Sequence, residues 1–327
     1  MANSFIPFFL VWYLMVRSLQ VSYWLTLALS LPEAGFMLRI FIIQHDCGHG
    51  SFFSSKRAND VVGMISSLIT LTPYYYWKKS HAIHHAHVGN LDGRGIGDVQ
   101  TLTVKEYLQL SPLGKLQYRI YRNPFILFGI IAFLLFVVVY RFPTSRTKTM
   151  KSVQSSIYWT NLGIACLVAG LVKLVGWQTF LLVHFPVEVW AASVGTWIFY
   201  VQHQYEDTYW EGQDKWDYAT AAMKGSSFYK LPPVLQWFSG NIGFHHIHHL
   251  SPRIPNYLLP QCHEENPPLQ GAVVLTLRTG IRSMILTLWD EEEKKLISFR
   301  DLSRKLAANS QTAEVIGHSN VQSAYAD

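Results

Sequence analysis

Fourteen histidines stand in a chain of 327 residues, and eight of them fall in three spaced clusters. His45 and His49 form an HxxxH; His81, His84 and His85 form an HxxHH; His245, His248 and His249 form a second HxxHH around His246. Residues three and four apart share a helix face, so each cluster is expected to present two or three imidazoles to a common point. Neutral imidazole is a ligand for iron, zinc or copper. Eight such ligands exceed what one four-coordinate zinc takes and suit two ions. Carboxylate sites in four-helix bundles use Glu and Glu-x-x-His pairs. No carboxylate recurs here at that spacing, which indicates an all-histidine or mostly histidine site. His203 fits a ninth ligand; a helix-end histidine satisfied by water or backbone is the alternative. His87, His184, His246, His263 and His318 lack the spacing. His184 and Glu188 share a helix face inside an apolar run, and pairing with each other is the preferred account of them.

Ligating histidines commonly donate their second N–H to a neighbouring polar group. Asp46, Asp207 and Asn241 stand within four residues of these histidines and Asp98 thirteen after His85; all four are expected in that role, with a helix cap as the alternative for Asn241. Two aromatic groups, around Tyr74–Trp77 and around Tyr209–Tyr218, offer apolar contact surface. Tyr74, Tyr76, Trp77, Trp210 and Trp216 are the substrate-binding candidates among them; interfacial anchoring is their bland reading.

These side chains need a scaffold, and the composition restricts it. Half of the chain is hydrophobic, 14% aromatic and only 15% charged, against about 25% charged in an ordinary soluble domain. That excludes disorder, collagen, coiled coil and a disulfide scaffold. The net charge of +6 fits loops facing anionic lipid. No basic run is interleaved with aromatics as a nucleic-acid module requires, so no nucleic-acid partner is expected. Cys47, Cys166 and Cys262 are odd in number and far apart, as reduced thiols of a cytoplasm-facing protein would be. Residues 1–4 lack the basic start of a cleavable signal peptide.

Apolar stretches at 5–20, 24–43, 157–175 and 177–202 are long enough to cross a hydrocarbon core of about 30 Å with tilt. They predict two transmembrane hairpins. Shorter stretches at 61–76 and 125–140 sit at or below that range. One metal site needs all three clusters on one side, so an even number of crossings separates them. Residues 61–76 are therefore expected to dip into the membrane or lie on it. Arg141, Arg146, Lys148 and Lys151 favour the cytoplasm, which makes 125–140 interfacial or re-entrant. The expectation is an all-α integral membrane protein with four spans (six being the alternative), interfacial helices and a cytoplasmic histidine-rich cap. A helical apolar spacing over residues 273–288 predicts a surface-lying amphipathic helix, or an ordinary core helix. Residues 1–306 read as one domain and the polar residues 307–327 as a disordered tail.

The words around the clusters carry a resemblance. His45-Asp-Cys-Gly-His49-Gly-Ser-Phe-Phe, Trp77-Lys-Lys-Ser-His81-Ala-Ile-His84-His85, Asn90-Leu-Asp-Gly-Arg-Gly-Ile-Gly-Asp98, Tyr200-Val-Gln-His203 and Asn241-Ile-Gly-Phe-His245-His-Ile-His248-His249-Leu-Ser-Pro-Arg-Ile-Pro-Asn256-Tyr257 together resemble the membrane acyl-lipid fatty acid desaturases. Within that family the likeness is to bacterial Δ5 enzymes regulated by low temperature, and it runs from about residue 3 to 302. Those relatives carry a longer soluble arm before the first span, whereas the apolar run here begins at Phe5.

The resemblance implies a di-iron enzyme. It would use O₂ and two external electrons to place a cis double bond in membrane-lipid acyl chains, helping keep the bilayer fluid. His45, His49, His81, His84, His85, His203, His245, His248 and His249 carry over as iron ligands. The donor would be a separate ferredoxin or flavodoxin, or a cytochrome b5-like protein, docking on basic residues such as Lys78, Lys79, Arg94 and Lys105. The rival chemistry is hydroxylation or ketolation of an alkane, sterol or carotenoid. A metal transporter or store is a remoter rival, because transporters hold ligands near the bilayer midplane and these clusters abut span ends.

Overall fold

The protein is described by a computed structural model over residues 1–144, 147–309 and 311. Its frame is a set of long helices that converge on a cap. Helices α1 (Ala2–Ser18) and α2 (Tyr23–His49) pack against each other, held near the turn between them by the Ser18 and Thr26 hydroxyls 2.7 Å apart. Gly50 ends α2 directly after His49, at φ 72°, a left-handed conformation that costs a residue with a Cβ more than it costs glycine.

The apolar stretch 61–76 is broken in two. Helix α3 (Lys56–Ile69) and helix α4 (Tyr74–His87) meet at residues 70–73, where Pro73 disfavours helix at the residue before it. Fourteen residues of α3 reach about 21 Å, too short to cross. Helix α5 (Pro112–Tyr121) leads into a π-helical turn, Phe125–Ile131, then α-helical and 3₁₀ turns to Arg141. The axis bends by 70° at the break between them. Helices α6 (Ser155–Val175) and α7 (Trp177–His203) follow each other directly across Gly176. Among the described residues α2, α6 and α7 are long and apolar enough to cross a membrane, and the bent pair would make a fourth candidate. Helix α1, at 17 residues, reaches about 25 Å. Its outward side chains Ile6, Phe9, Leu10 and Tyr13, and Trp159 and Leu174 on α6, are exposed, as suits a lipid neighbour.

The all-α expectation is corrected in the cap, where two small sheets occur. Strand β1 (Leu102–Thr103) pairs in parallel with β4 (Leu288–Asp290), which pairs antiparallel with β5 (Lys295–Ile297); β2 (Phe228–Tyr229) pairs in parallel with β3 (Val274–Leu275). The continuous helix expected over 273–288 is corrected with it. Only Leu277–Ser283 is helical, started by a Thr276–Thr279 capping box, with β3 before and β4 soon after. The apolar spacing is real, but β-branched Val273 and Val274 suit a strand and find a partner far away in sequence. The expected disordered tail lies almost wholly outside the described residues; within it, Ala307–Asn309 continue a helix.

The core that supports the site packs α2, α7 and the π-helical turn together through Ile42, Leu127, Phe128, Ile198, Tyr200 and Val201. Arg122 is buried there without a carboxylate among its hydrogen-bond partners. It donates to the Gln100 and Leu286 carbonyls, Thr101 Oγ1, Tyr200 OH and Gln204 Oε1. One cation thereby ties residues 100–101 and 286 to the end of α7.

Candidate metal centre

Four elements deliver the histidines. The last turn of α2 carries His45 and His49, α4 carries His81, His84 and His85, and α7 ends on His203. A short helix, α8 (His245–Leu250), carries the third cluster. The turn entering α8 needs positive φ at Gly240 (56°) and Asn241 (59°), and a Cβ at Gly243 would stand 2.4 Å from the Tyr229 carbonyl oxygen.

The nine histidines divide into two groups, within each of which the ligand nitrogens lie within 4.8 Å of one another: His45, His49, His81, His85 and His248, and then His84, His203, His245 and His249. The expectation of one common point per cluster is corrected by this division. In each HxxHH the first and last histidines, four apart, face one group, and the middle one faces the other. His81 and His85 join the first group while His84 crosses to the second; His245 and His249 join the second while His248 crosses to the first. Neighbouring positions on a helix diverge by about 100°, so adjacent histidines such as His84 and His85 can serve two centres side by side.

The spacing fits cations. The Nε2 atom of His85 is 3.1 Å from that of His81 and 2.9 Å from that of His248; His245 Nε2 is 2.9 Å from His203 Nε2 and 3.1 Å from His249 Nε2. A ring nitrogen offers one hydrogen or one lone pair, so His85 and His245 can each satisfy only one of two close neighbours. A cation shared at about 2.1 Å removes the conflict, since ligand nitrogens at right angles around it stand about 3.0 Å apart. The buried Nε2 atoms of His49 and His84 have no hydrogen-bond partner among the described residues. Burial first, and the neighbouring imidazoles second, hold His81, His85, His245, His248 and His249 well below the usual histidine pKa. They are thus kept in the neutral form a metal needs. The donor set is all imidazole, which suits iron, zinc or copper.

Three ligands are oriented from behind. His45 Nδ1 lies 2.9 Å from Asp46 Oδ1, His84 Nδ1 bonds Asp98 Oδ1, and His203 Nδ1 is 3.0 Å from the Gly225 carbonyl oxygen. Each contact leaves Nε2 as the ligand atom. Asp46 also accepts from Asn256, through its backbone N–H and its Nδ2, both at 2.7 Å, which locks the segment after α8 onto the end of α2. Asn256 and the Gly225 carbonyl carry no local signal: one is an amide ten residues or fewer from the third cluster, the other a backbone group.

Two of the expected supporting residues stand elsewhere. Asp207 is exposed, because the chain turns outward after α7, and it contacts no ligating histidine. Asn241 holds the turn before α8, accepting from the Phe244 N–H at 3.1 Å and donating to the Asn256 carbonyl at 3.2 Å. The aromatic candidates divide likewise. Tyr76 and Trp77 line a cavity of about 590 Å³, and Trp77 stacks on His81 with ring centroids 4.6 Å apart. Tyr74 does not line it. Its buried hydroxyl bonds the Cys47 carbonyl at 2.8 Å and Asp60 at 3.2 Å, so its role is to lock α4 to α2 and α3. Trp210 borders a smaller, more polar cavity of about 310 Å³ beside His84, His203 and Asp98 and stacks on Trp289. Trp216 spends its indole N–H on the Val88 carbonyl at 2.8 Å and lines neither cavity. Of the basic docking candidates, Arg94 is held bidentately by Glu106 and Lys78 pairs with Asp60.

The larger cavity lies within the 300–1,000 Å³ usual for a small-molecule site, roughly. Three of the candidate ligands, His45, His81 and His245, open onto it, and its other walls include Met37, Phe41, Phe136, Ala191 and Phe199. Long apolar helices, a mostly apolar cavity and two buried imidazole groups at one end of it fit a class of proteins: those that could hold metal ions beside an apolar substrate.

Comparison with known proteins identifies which. The model of the family described as fatty acid desaturase matches residues 21–280. A fatty acid desaturase of Bacillus subtilis (strain 168) is 50% identical over 298 residues, covering 91% of this chain and 84% of that relative. An sn-1 acyl-lipid omega-3 desaturase (ferredoxin) of Nostoc sp. (strain 36) is 29% identical over 250 residues, 71% of this chain and 64% of the relative. A chloroplastic omega-3 fatty acid desaturase of Glycine max is 28% identical over 268 residues, 76% of this chain and 56% of the relative. The chain belongs to the fatty acid desaturase family, and it is an enzyme of that kind.

Proposed function

We propose that the protein desaturates acyl chains of membrane lipids at the fifth carbon, leaving a cis double bond, with one iron in each histidine group. The observation that carries this reading is the opening of two buried imidazole groups onto one apolar cavity. Iron bound there supplies the activation of O₂, so that O₂, two electrons and two protons together with two hydrogens of a –CH₂–CH₂– unit give –CH=CH– and two waters.

The chain's own residues do the rest. Asp46, Asp98 and the Gly225 carbonyl fix three imidazoles in orientation, so that little rearrangement accompanies turnover. Phe41, Trp77, Phe136 and Phe199 exclude water from the reacting segment and hold the hydrocarbon extended. The Phe199 ring lies 5.1 Å from that of His84 and 5.4 Å from that of His203, so it marks the level of the second group. From Phe199 down α7 to Glu188, also in the cavity wall, eleven residues rise about 16 Å. At 3.8 Å per three extended backbone bonds, that is room for about 13 carbon–carbon bonds. A common membrane-lipid chain cut at its fifth carbon leaves a tail of about this length. A tail held in such a cavity avoids about 0.8 kcal/mol of exposure per methylene, which is why an enzyme of this kind takes its substrate sideways from the bilayer.

The reading extends to setting. Residues 1–306 act as one domain with four crossings and the histidine cap on the cytoplasmic face of a bacterial membrane; a separate ferredoxin or flavodoxin supplies electrons, and the product helps keep the bilayer fluid. The ferredoxin named for the Nostoc relative supports the donor, and the basic residues Lys148 and Lys151 after the bent segment support the orientation. The test is gas chromatography of lipids from an expressing host, with double bonds located by derivatisation. New cis-Δ5 chains are expected with the unmodified protein and none with His84→Ala at equal membrane level. Oxygenated chains instead, or unsaturation that survives in His84→Ala, would overturn the proposal.

A further inference from the structure

The cavity does not end on hydrocarbon. Its wall at depth includes Glu188, which is only 4% exposed. Its Oε1 lies 3.1 Å from His184 Nε2, one turn further down α7, but makes no hydrogen bond, and His184 Nδ1 is likewise without a partner among the described residues. The Phe180 ring stacks on His184 at 5.1 Å, one turn further from the cavity. An ionisable pair inside an otherwise apolar helix is costly to keep and marks a function by default. Nothing in the chemistry at the histidine groups calls for it; His203, their member on α7, stands about 22 Å away along the helix.

We infer that the His184–Glu188 pair is the polar floor of the acyl cavity and sets the longest tail the enzyme accepts; this rests on the acyl-chain substrate proposed above. Each further methylene taken into an apolar cavity favours binding about fourfold. A methyl pressed against a carboxyl group whose Oε1 already lacks a hydrogen-bond partner removes any remaining polar contact, which costs about tenfold or more. The gain per methylene therefore stops at the level of Ala191, one turn above Glu188. Small side chains line the wall just above the floor, at Ala191, Ala192 and Gly195, so polarity rather than bulk ends the cavity.

The experiment compares three variants by the ratio of long to short unsaturated chains in one lipid extract. That ratio does not depend on how much enzyme folds. E188A is expected to raise the ratio about threefold or more, A191F to lower it about threefold or more, and E188Q, which keeps volume and polarity, to leave it near the unmodified value. The double bond should stay at the same distance from the carboxyl end in all three. A second readout needs no turnover: the thermal stabilisation of purified protein by lysophospholipids of graded acyl length. Stabilisation should rise with length and then level off, and E188A should move that break to longer chains. An unchanged product ratio in both E188A and A191F, or the same break in E188A as in the unmodified protein, overturns the inference. A break that moves as expected in a protein that makes no unsaturated lipid would sink the proposed reaction and leave the floor standing.

Discussion

Asp46→Ala is the substitution whose consequence the structure specifies most fully. The carboxylate is 2% exposed and receives three donors: His45 Nδ1 at 2.9 Å, the Asn256 N–H at 2.7 Å and Asn256 Nδ2 at 2.7 Å. Hydrogen bonds to a charged group are worth about 1.5–3 kcal/mol each, but the lost charge no longer has to be kept out of water. Removing one partner of such a buried set costs about 3–5 kcal/mol in total. The same change frees the His45 ring to rotate and unlocks the segment carrying Asn256 from the end of α2. Loss of an orienting partner typically weakens metal binding about 10–100-fold. His45 belongs to the five-histidine group, so that group alone should weaken, and the four-histidine group should keep its affinity. Asp46→Asn retains one acceptor and should lose about half as much stability. Thermal unfolding in detergent reads the first effect, and titration of ferrous iron against a competing chelator reads the second, as one weakened site and one normal site. If D46A binds both ions within about twofold of the unmodified protein and melts at the same temperature, the orienting role assigned to this carboxylate is wrong.

Two further outcomes are expected. Tyr74→Phe removes the bonds to the Cys47 carbonyl and Asp60; it should cost about 1–2 kcal/mol of stability and leave the product pattern unchanged, and a shifted chain-length or double-bond pattern would return Tyr74 to the substrate site. Acid should destabilise the metal-free protein. His81, His85, His245, His248 and His249 are held well below their ordinary pKa when folded, so below about pH 6.5 the unfolded chain takes up protons that the folded one refuses. Stability contributed by these groups is whole above that pH and is lost as pH falls through it. The unfolding midpoint of metal-free protein should drop between about pH 7 and pH 5, and a midpoint that rises on acidification over that window would contradict the burial of these rings.

The histidine clusters were legible in the sequence because their signal is local. His45 with His49, and the first and last histidines of each HxxHH, need only helical spacing to be recognised as facing one point. The division of each HxxHH between two groups follows from the same spacing once the middle histidine is assigned its own direction, about 60° from the first histidine and about 100° from the last. Asp46 was legible through its place beside His45 and Asp98 through the word that ends on it, but adjacency misled at Asp207, because it does not say which way the chain turns after a helix ends. Asn256, the Gly225 carbonyl and Arg122 act across the fold, at sequence separations no periodicity registers. The strands were hidden for a related reason: β1 and β3 are two residues long and exist only through partners more than forty residues away. Residues 273–288 carried a helical pattern that a capping threonine and distant strand pairing overrode.

The central claim is that nine histidines form two separate metal sites, and iron stoichiometry tests it most directly. Purified protein loaded anaerobically with ferrous iron should hold about two irons per chain. His248→Ala, in the five-histidine group, and His203→Ala, in the four-histidine group, should each lose about one while keeping the other. A single iron per chain in the unmodified protein, or two irons retained when both histidines are replaced together, would contradict the account.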